Sequence, residues 1–274
     1  MQQFDTSPWS LLHSGLKHRN LLWMMISRET SSRYKGSIIG ALWLILIPLM
    51  MLFVYSFVFG DILNARWSDG SSSSQKGDFT LALFVGLIVF GFFADCINRA
   101  PSLIVSNVNY VKKVVFPLEI MPVVSVISSV INMSIGFLIW AFFYFYLYGS
   151  VNLTFVFFPV ILLPFYIFSL GLIYLLSALG VFLRDINQVI GVIVSGLMFL
   201  SPVFYEADRF PEQYRIYIDM NPLTVPIESM RSLLMKGDLP DLLSWMVYLL
   251  FSLVIFSLSY LLFQKARRGF ADVL

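Results

Sequence analysis

The sequence predicts an all-α membrane protein. It has six transmembrane helices, an amphipathic helix before the first of them, and a re-entrant helical hairpin before the last. Three observations predict it. First, of 274 residues 58% are hydrophobic and only 12% charged, with a mean hydropathy of +0.82, more apolar than a wetted domain surface permits. Second, uncharged runs long enough to cross a bilayer recur along the chain, and a crossing segment must bond its own backbone amides, which a helix does. Third, Lys and Arg near the ends of those runs sort to one side.

The elements follow in order. "TSPWSLLHSGLKHRNLLWMMISRE" opens with Ser7 as an N-cap and Pro8 at the first helical position. Trp9, Leu12, Leu16 and Trp23 then recur at helical spacing beside Lys17, His18 and Arg19, so residues 8–29 are expected to lie along the inner membrane surface. A plain topogenic anchor is the alternative. The first span runs from Ile38 to Phe59 and the second from Phe79 to Ile97, joined by a Ser-, Gly- and Asp-rich loop. No formal charge occurs from Ile120 to Leu183, room for spans three and four, with "YGSVN" at Tyr148 to Asn152 as the turn and Pro159 and Pro164 kinking the fourth span or marking its start. Spans five and six are Val189 to Phe204 and Leu242 to Phe263.

Lys17, Arg19, Arg28, Arg33, Lys35, Lys112, Lys113, Arg184, Lys265, Arg267 and Arg268 all flank the same ends of the spans. The opposite loops carry Asp61, Asp69, Asp78, Glu206, Asp208, Glu212, Asp219, Asp238 and Asp241. The expectation is a multi-pass protein with both termini cytoplasmic. The polar first residues contain no short apolar signal core, so span one is expected to stay as an anchor.

Two connecting segments are not ordinary loops. "SNVNYVKKVVFPLEIMP" is too short to cross, yet Tyr110, Val111, Val114, Val115 and Phe116 are too apolar for free solvation. Either a partner's groove covers them while Lys112 and Lys113 meet acidic residues at its rim, or the segment rests on lipid. Before span six, the stretch from Ser201 to Gly237 is long for a structureless loop. Its runs from Pro211 to Asp219 and Pro226 to Lys236 read as two short helices turned by Asn221 and Pro222, dipping into the outer leaflet or forming a small external cap.

The absences are informative. Asp95 and Arg99, four apart at the end of span two, read as a pair on one helix face rather than a proton relay. The single Cys96 and two histidines, His13 and His18, form no metal or nucleophile arrangement. No phosphate-binding glycine loop occurs, so any ATP must be handled by another subunit. A net charge of +2 gives no reason to expect nucleic acid. Aromatics are plentiful, with 27 Phe, 13 Tyr and 6 Trp, more than two interfacial belts need. Some rings therefore face the bundle or a pore, where aromatic faces suit the C–H sides of sugars, although rings facing lipid or neighbouring helices are common.

Four stretches together resemble one family. They are "SRETSSRYKGSIIGALWLILIPLM", "NYVKKVVFPLEIMP", "FLRDINQVIGVIVSGLMFLSPVFY" and "NPLTVPIESMRSLLMKG". The chain resembles the permease of type-2 ABC exporters for bacterial surface polysaccharides: O-antigen, capsule and teichoic acid. That resemblance implies one transmembrane domain over residues 1–274, in the bacterial inner membrane, acting as a homodimer with two ABC ATPase subunits that hold the ATP and Mg. The cargo would be an undecaprenyl-diphosphate-linked polysaccharide. It implies that residues 104–117 are the coupling segment, with Asn107, Tyr110, Val111, Lys112, Lys113, Phe116 and Pro117 at the ATPase, that 8–29 are the interface helix and that 208–236 re-enter the outer leaflet.

On that reading Arg33, Tyr34 and Lys35, at the inner headgroup plane, receive the lipid diphosphate, ordinary positive-inside anchoring being the alternative. Trp43, Tyr55, Phe59, Phe199, Phe204 and Tyr205 line the glycan route. No catalytic residue, metal site or cofactor is expected in this chain. Two other classes stay open: a membrane-embedded envelope-lipid transferase, which would need an acid, base or metal cluster, and an ATP-independent flippase.

Overall fold

The computed structural model describes residues 8–32, 37–62, 76–112, 116–207 and 211–274. Among these, every regular element is helical. Helices α1 (Pro8–Lys17) and α2 (Arg19–Ser32) are nearly continuous, because the His18 amide bonds the Ser14 carbonyl and the Leu22 amide bonds that of His18. Leu16 and Trp23, expected to meet lipid, are 75% and 70% exposed. A second stripe not anticipated from the sequence, Leu22, Met25 and the buried Ile26, holds the helix against Ile120 and Val124.

Helix α3 (Trp43–Tyr55) contains Pro48 and runs on as a π-helical turn, Ser56–Ile62. Helix α4 (Lys76–Arg99) is the hub of the largest buried cluster. After a 3-10 turn at Val105–Asn107 comes the single-turn α5 (Val108–Val111), and then α6 (Ile120–Tyr148). Gly149 ends α6 in the left-handed conformation, φ 73°, which a glycine adopts without penalty. The chain returns through α7 (Phe158–Ile161) and α8 (Leu163–Phe182). Pro159 and Pro164 each sit in the first turn of a helix, where a missing amide costs nothing. They mark two successive starts, separated by the turn at Leu162.

Helix α9 (Ile186–Leu200) is followed by α10 (Arg215–Asp219), then α11 (Thr224–Arg231), which continues as a π-helical turn to Lys236. Helix α12 (Leu242–Ala266) is capped by the Asp241 carboxylate, which accepts from the Ser244 amide at 2.9 Å, and α13 (Phe270–Val273) ends the chain. Four stretches among the described residues are long and apolar enough to cross a membrane: Gly77–Arg99, Ile120–Tyr148, Leu153–Phe182 and Leu242–Val273. The first and fifth expected spans are shorter apolar helices, Trp43–Phe59 and Ile186–Leu200. The latter reaches only ~22 Å at 1.5 Å per residue against a hydrocarbon layer of ~30 Å.

The tightest helix pair is α8 with α12. A Cβ on Gly171 would lie 2.9 Å from the Phe256 Cα, so only a glycine lets the two backbones approach this closely. Gly180, near the other end of α8, is more constrained still: its Cβ would lie 2.0 Å from the Pro101 carbonyl oxygen. Helix α8 is thereby pressed against both α12 and the turn that leads to α5.

Candidate functional site

Five of the six expected channel aromatics converge at one end of α3 and α9. Tyr55 and Phe59 lie one turn apart, with ring centroids 6.2 Å from each other. Each also faces Phe204, at 5.9 Å and 5.3 Å, the second pair stacked. Phe199, 69% exposed, stacks on Phe204 at 5.7 Å. Tyr205 adjoins them, its hydroxyl donating to the Phe199 carbonyl at 3.1 Å. Phe79 of α4 joins through Phe59 at 6.3 Å.

Trp43 does not join. It stands twelve residues before Tyr55 on α3, ~18 Å along a helix axis, and its indole N–H donates to Ser37 Oγ at 2.9 Å. Its aromatic character alone carried the sequence assignment, and α3 is too long for both ends to meet one cluster.

A cavity of about 330 Å³ runs between α3, α4, α6 and α9, lined by Met51, Tyr55, Leu87, Gly91 and Met198, with Asp95, Ser129 and Asn132 as its polar part. The surface is suited to face-on packing against an apolar or C–H-rich ligand. Among the described residues no group of His, Cys, Asp and Glu is arranged to hold a metal ion.

The segment between α4 and α6 forms a second site. Tyr110 stacks on Phe116 with ring centroids 4.5 Å apart, and Arg28 of α2 donates to the Tyr110 hydroxyl at 2.7 Å. Tyr110, Val111 and Phe116 pack against a buried cluster that includes Leu118, Tyr260 and Phe263, and Pro117 is buried. The cover these apolar residues need is supplied largely by the chain itself. Lys112 and Asn109 stay exposed, and the Asn107 side chain is tied to the Leu103 carbonyl at 3.0 Å. Lys113 lies outside the described residues, as do Arg33, Tyr34 and Lys35.

Residues 20–235 match the family described as ABC-2 type transporter. The chain belongs to that family. It is 28% identical over 264 residues to an O-antigen export system permease protein RfbA of Klebsiella pneumoniae, covering 93% of this chain and 95% of the relative. A Myxococcus xanthus protein of the same name is 25% identical over 265 residues, covering 96% and 98%. The polysialic acid transport protein KpsM of Escherichia coli is 26% identical over 250 residues, covering 88% and 92%.

Two features of this ABC-2 chain were missed in the sequence. The first is Arg231, 4% exposed. Its Nε donates to the Ala82 carbonyl at 3.2 Å and its Nη2 to the Pro202 and Val203 carbonyls at 2.9 and 3.1 Å, while Nη1 pairs with Glu228 at 2.8 Å. Pro202 and Val203 immediately precede Phe204, so Arg231 fixes the aromatic cluster from behind. An arginine in the apolar run "SMRSLLM", three residues after a glutamate, was the available signal.

The second concerns Arg99. Asp95 is 3.7 Å from it, as the four-residue spacing suggests, but the closer partner of Arg99 is Glu29 of α2. Asp95 also accepts from the Ser129 hydroxyl at 2.6 Å. These contacts tie α2, α4 and α6 together at one end, and nothing in the local sequence could name Glu29 as a partner seventy residues away.

Proposed function

We propose that this chain is the permease subunit of an ATP-driven exporter that moves lipid-linked polysaccharide across the bacterial inner membrane, with O-antigen as the favoured cargo. The observation that carries the reading is the end-to-end similarity to permeases named for O-antigen export and polysialic acid transport. The clustered rings of Tyr55, Phe59, Phe199 and Phe204 support it, because aromatic faces accept sugars of differing stereochemistry without fixing one in place.

In this reading the chain crosses the membrane six times, α3 and α9 completing the set, with both termini in the cytoplasm and α10 and α11 dipping into the outer leaflet. Two copies line the conduit, and each docks one ATPase subunit through the segment around Asn107 to Pro117. ATP and Mg belong to that partner. The undecaprenyl-type diphosphate is received by Arg33, Tyr34 and Lys35 at the inner headgroup plane, and the glycan then passes the aromatic cluster. Closing of the ATPase dimer moves the docked segments and switches the spans between two arrangements.

Co-expression with a candidate ABC ATPase subunit tests this reading. The two should co-purify, and cells lacking the permease should accumulate lipid-linked polysaccharide on the cytoplasmic side. Covalent transfer activity by the purified chain, or substrate movement by it alone under an ion gradient, would overturn the proposal.

A further inference from the structure

One buried ionic node stands beside the coupling segment and is used by nothing described so far. Glu119, 14% exposed at its side chain, occupies the turn that links Pro117 to α6, and Arg267, 10% exposed, follows the last residue of α12. The Arg267 Nη1 donates to the Glu119 Oε2 at 2.5 Å, and its Nη2 to the Phe116 carbonyl at 3.2 Å. Ser14 of α1 donates to the other carboxylate oxygen at 3.0 Å, and the Tyr174 hydroxyl of α8 donates to the Glu119 backbone carbonyl at 2.6 Å. Residues from α1, α8 and the end of α12 thus all close on the two residues Phe116 and Glu119.

The other flank of the segment is held differently but by the same helix. There the Pro101 backbone lies against Gly180 of α8 at a distance that leaves no room for a methyl group. Helix α8 is in turn packed backbone to backbone on α12 at Gly171. Neither clamp involves α3 or α9. A displacement of the segment therefore reaches the α8–α12 pair through contacts on both flanks, one steric and one ionic.

We propose that Glu119 and Arg267 are positioning residues that transmit movement of the coupling segment to the α8–α12 pair, so that the ion pair is needed for coupling ATP hydrolysis to export rather than for docking the ATPase. The proposal rests on the reading of residues 104–117 as the ATPase contact. The guanidinium suits the task because its planar fork holds a carboxylate and a backbone carbonyl at once, which fixes a direction as well as a distance. A lysine retains the charge but contacts as a single point. The pair is also enclosed enough that water cannot readily substitute for either partner.

The test uses the full chain with its ATPase subunit, reconstituted in proteoliposomes, reading ATPase co-purification, ATP hydrolysis and polysaccharide exported per ATP. Glu119→Gln and Arg267→Gln should each keep the ATPase bound and hydrolysing, while export per ATP falls about tenfold or more. The double variant should fall no further than either single one, as two halves of one contact require. Arg267→Lys should recover part of the ratio. Normal export per ATP in Glu119→Gln would overturn the proposal, as would losses that multiply in the double variant. So would a fall in export matched by an equal fall in folded complex, which is a structural role alone. The reading beneath is checked separately with Tyr110→Ala combined with Lys112→Glu. If that variant leaves ATPase co-purification undiminished, the docking assignment fails and this proposal with it; if it abolishes docking while Glu119→Gln exports normally, only this proposal fails.

Discussion

Replacing Arg231 by Met is the sharpest stability test, because most of what the guanidinium satisfies is main chain. A side-chain partner can be removed together with an arginine, and buried ion pairs are then often replaceable by apolar groups at no cost. The carbonyls of Pro202 and Val203 cannot be removed. With Met at 231 they keep no donor from this side chain, at about 1–3 kcal/mol for each buried group left unmet. The Ala82 carbonyl lies within α4 and retains the helical bond of its position, and Glu228, with a third of its side chain exposed, can regain water. The expected net loss is therefore about 4 kcal/mol, two main-chain acceptors at roughly 2 kcal/mol each. At ~2–4 °C per kcal/mol for chains of this size, the melting temperature should fall by roughly 10 °C.

The assay is thermal unfolding of the purified chain followed by intrinsic fluorescence, alongside Arg231→Lys. The lysine variant should fall between the other two, since a point charge cannot serve three carbonyls held in a fork. An Arg231→Met protein that melts within a degree or two of the parent would refute the reasoning. It would mean that the turn at Pro202 and Val203 can relax and solvate its own carbonyls.

Other outcomes follow from the same geometry. Gly180→Ala places a methyl 2.0 Å from the Pro101 carbonyl oxygen, so it should destabilise by more than the ~1–3 kcal/mol usual for overpacking, visible as a lowered melting temperature. Gly86→Ala is a milder case, its Cβ 3.0 Å from Arg231 Nη2 and 3.1 Å from the Val203 carbonyl oxygen; it should reproduce part of the Arg231→Met effect, and the two should be non-additive in a double-mutant cycle. Replacing Tyr55 and Phe204 together by Ala should reduce polysaccharide export severalfold at normal protein level, whereas Trp43→Ala should not, as read by surface polysaccharide in complemented cells. The Asp241 carboxyl is held below the usual carboxylate range, chiefly by the Ser244 amide it accepts from and then by the Ser244 hydroxyl. Its cap therefore stabilises α12 above the unfolded carboxylate pKa of about 3.9 and loses that contribution as pH falls through the lower folded value. Asp241→Asn should keep a cap but remove this pH dependence from the unfolding curve.

Much of the helical framework was legible because bilayer crossing imposes a coarse rule on sequence: long uncharged runs, punctuated by Gly149 or by a proline in the first turn of the next helix. The turn at Asn221 and Pro222 was legible for the same reason. Asn221 accepts from the Leu223 amide through its own side chain and donates to Ser201, local chemistry that residue type announces. What stayed hidden depends on contacts distant in the chain. Arg267 reads in sequence as one more cation on the positive side, yet it is spent on Glu119 across 148 residues. The Tyr110 and Phe116 surface reads as needing a partner or lipid to cover it, yet it packs against the chain's own buried cluster, which includes Leu118, Tyr260 and Phe263. Periodicity identifies an apolar face but carries no information on which neighbour meets it. The aromatic cluster lies between these cases. Tyr55 and Phe59 share a face by their four-residue spacing, whereas Phe204 reaches them only because α9 stops at Leu200 and Arg231 holds the turn that follows.

The central claim is that polysaccharide passes through this chain only when a separate ATPase drives it. The most direct measurement is translocation of lipid-linked polysaccharide into proteoliposomes holding the chain with its ATPase, with the chain alone, or with the ATPase made unable to hydrolyse. Transport should appear in the first and vanish in the other two. Transport by the chain alone, with or without an ion gradient, would contradict the account.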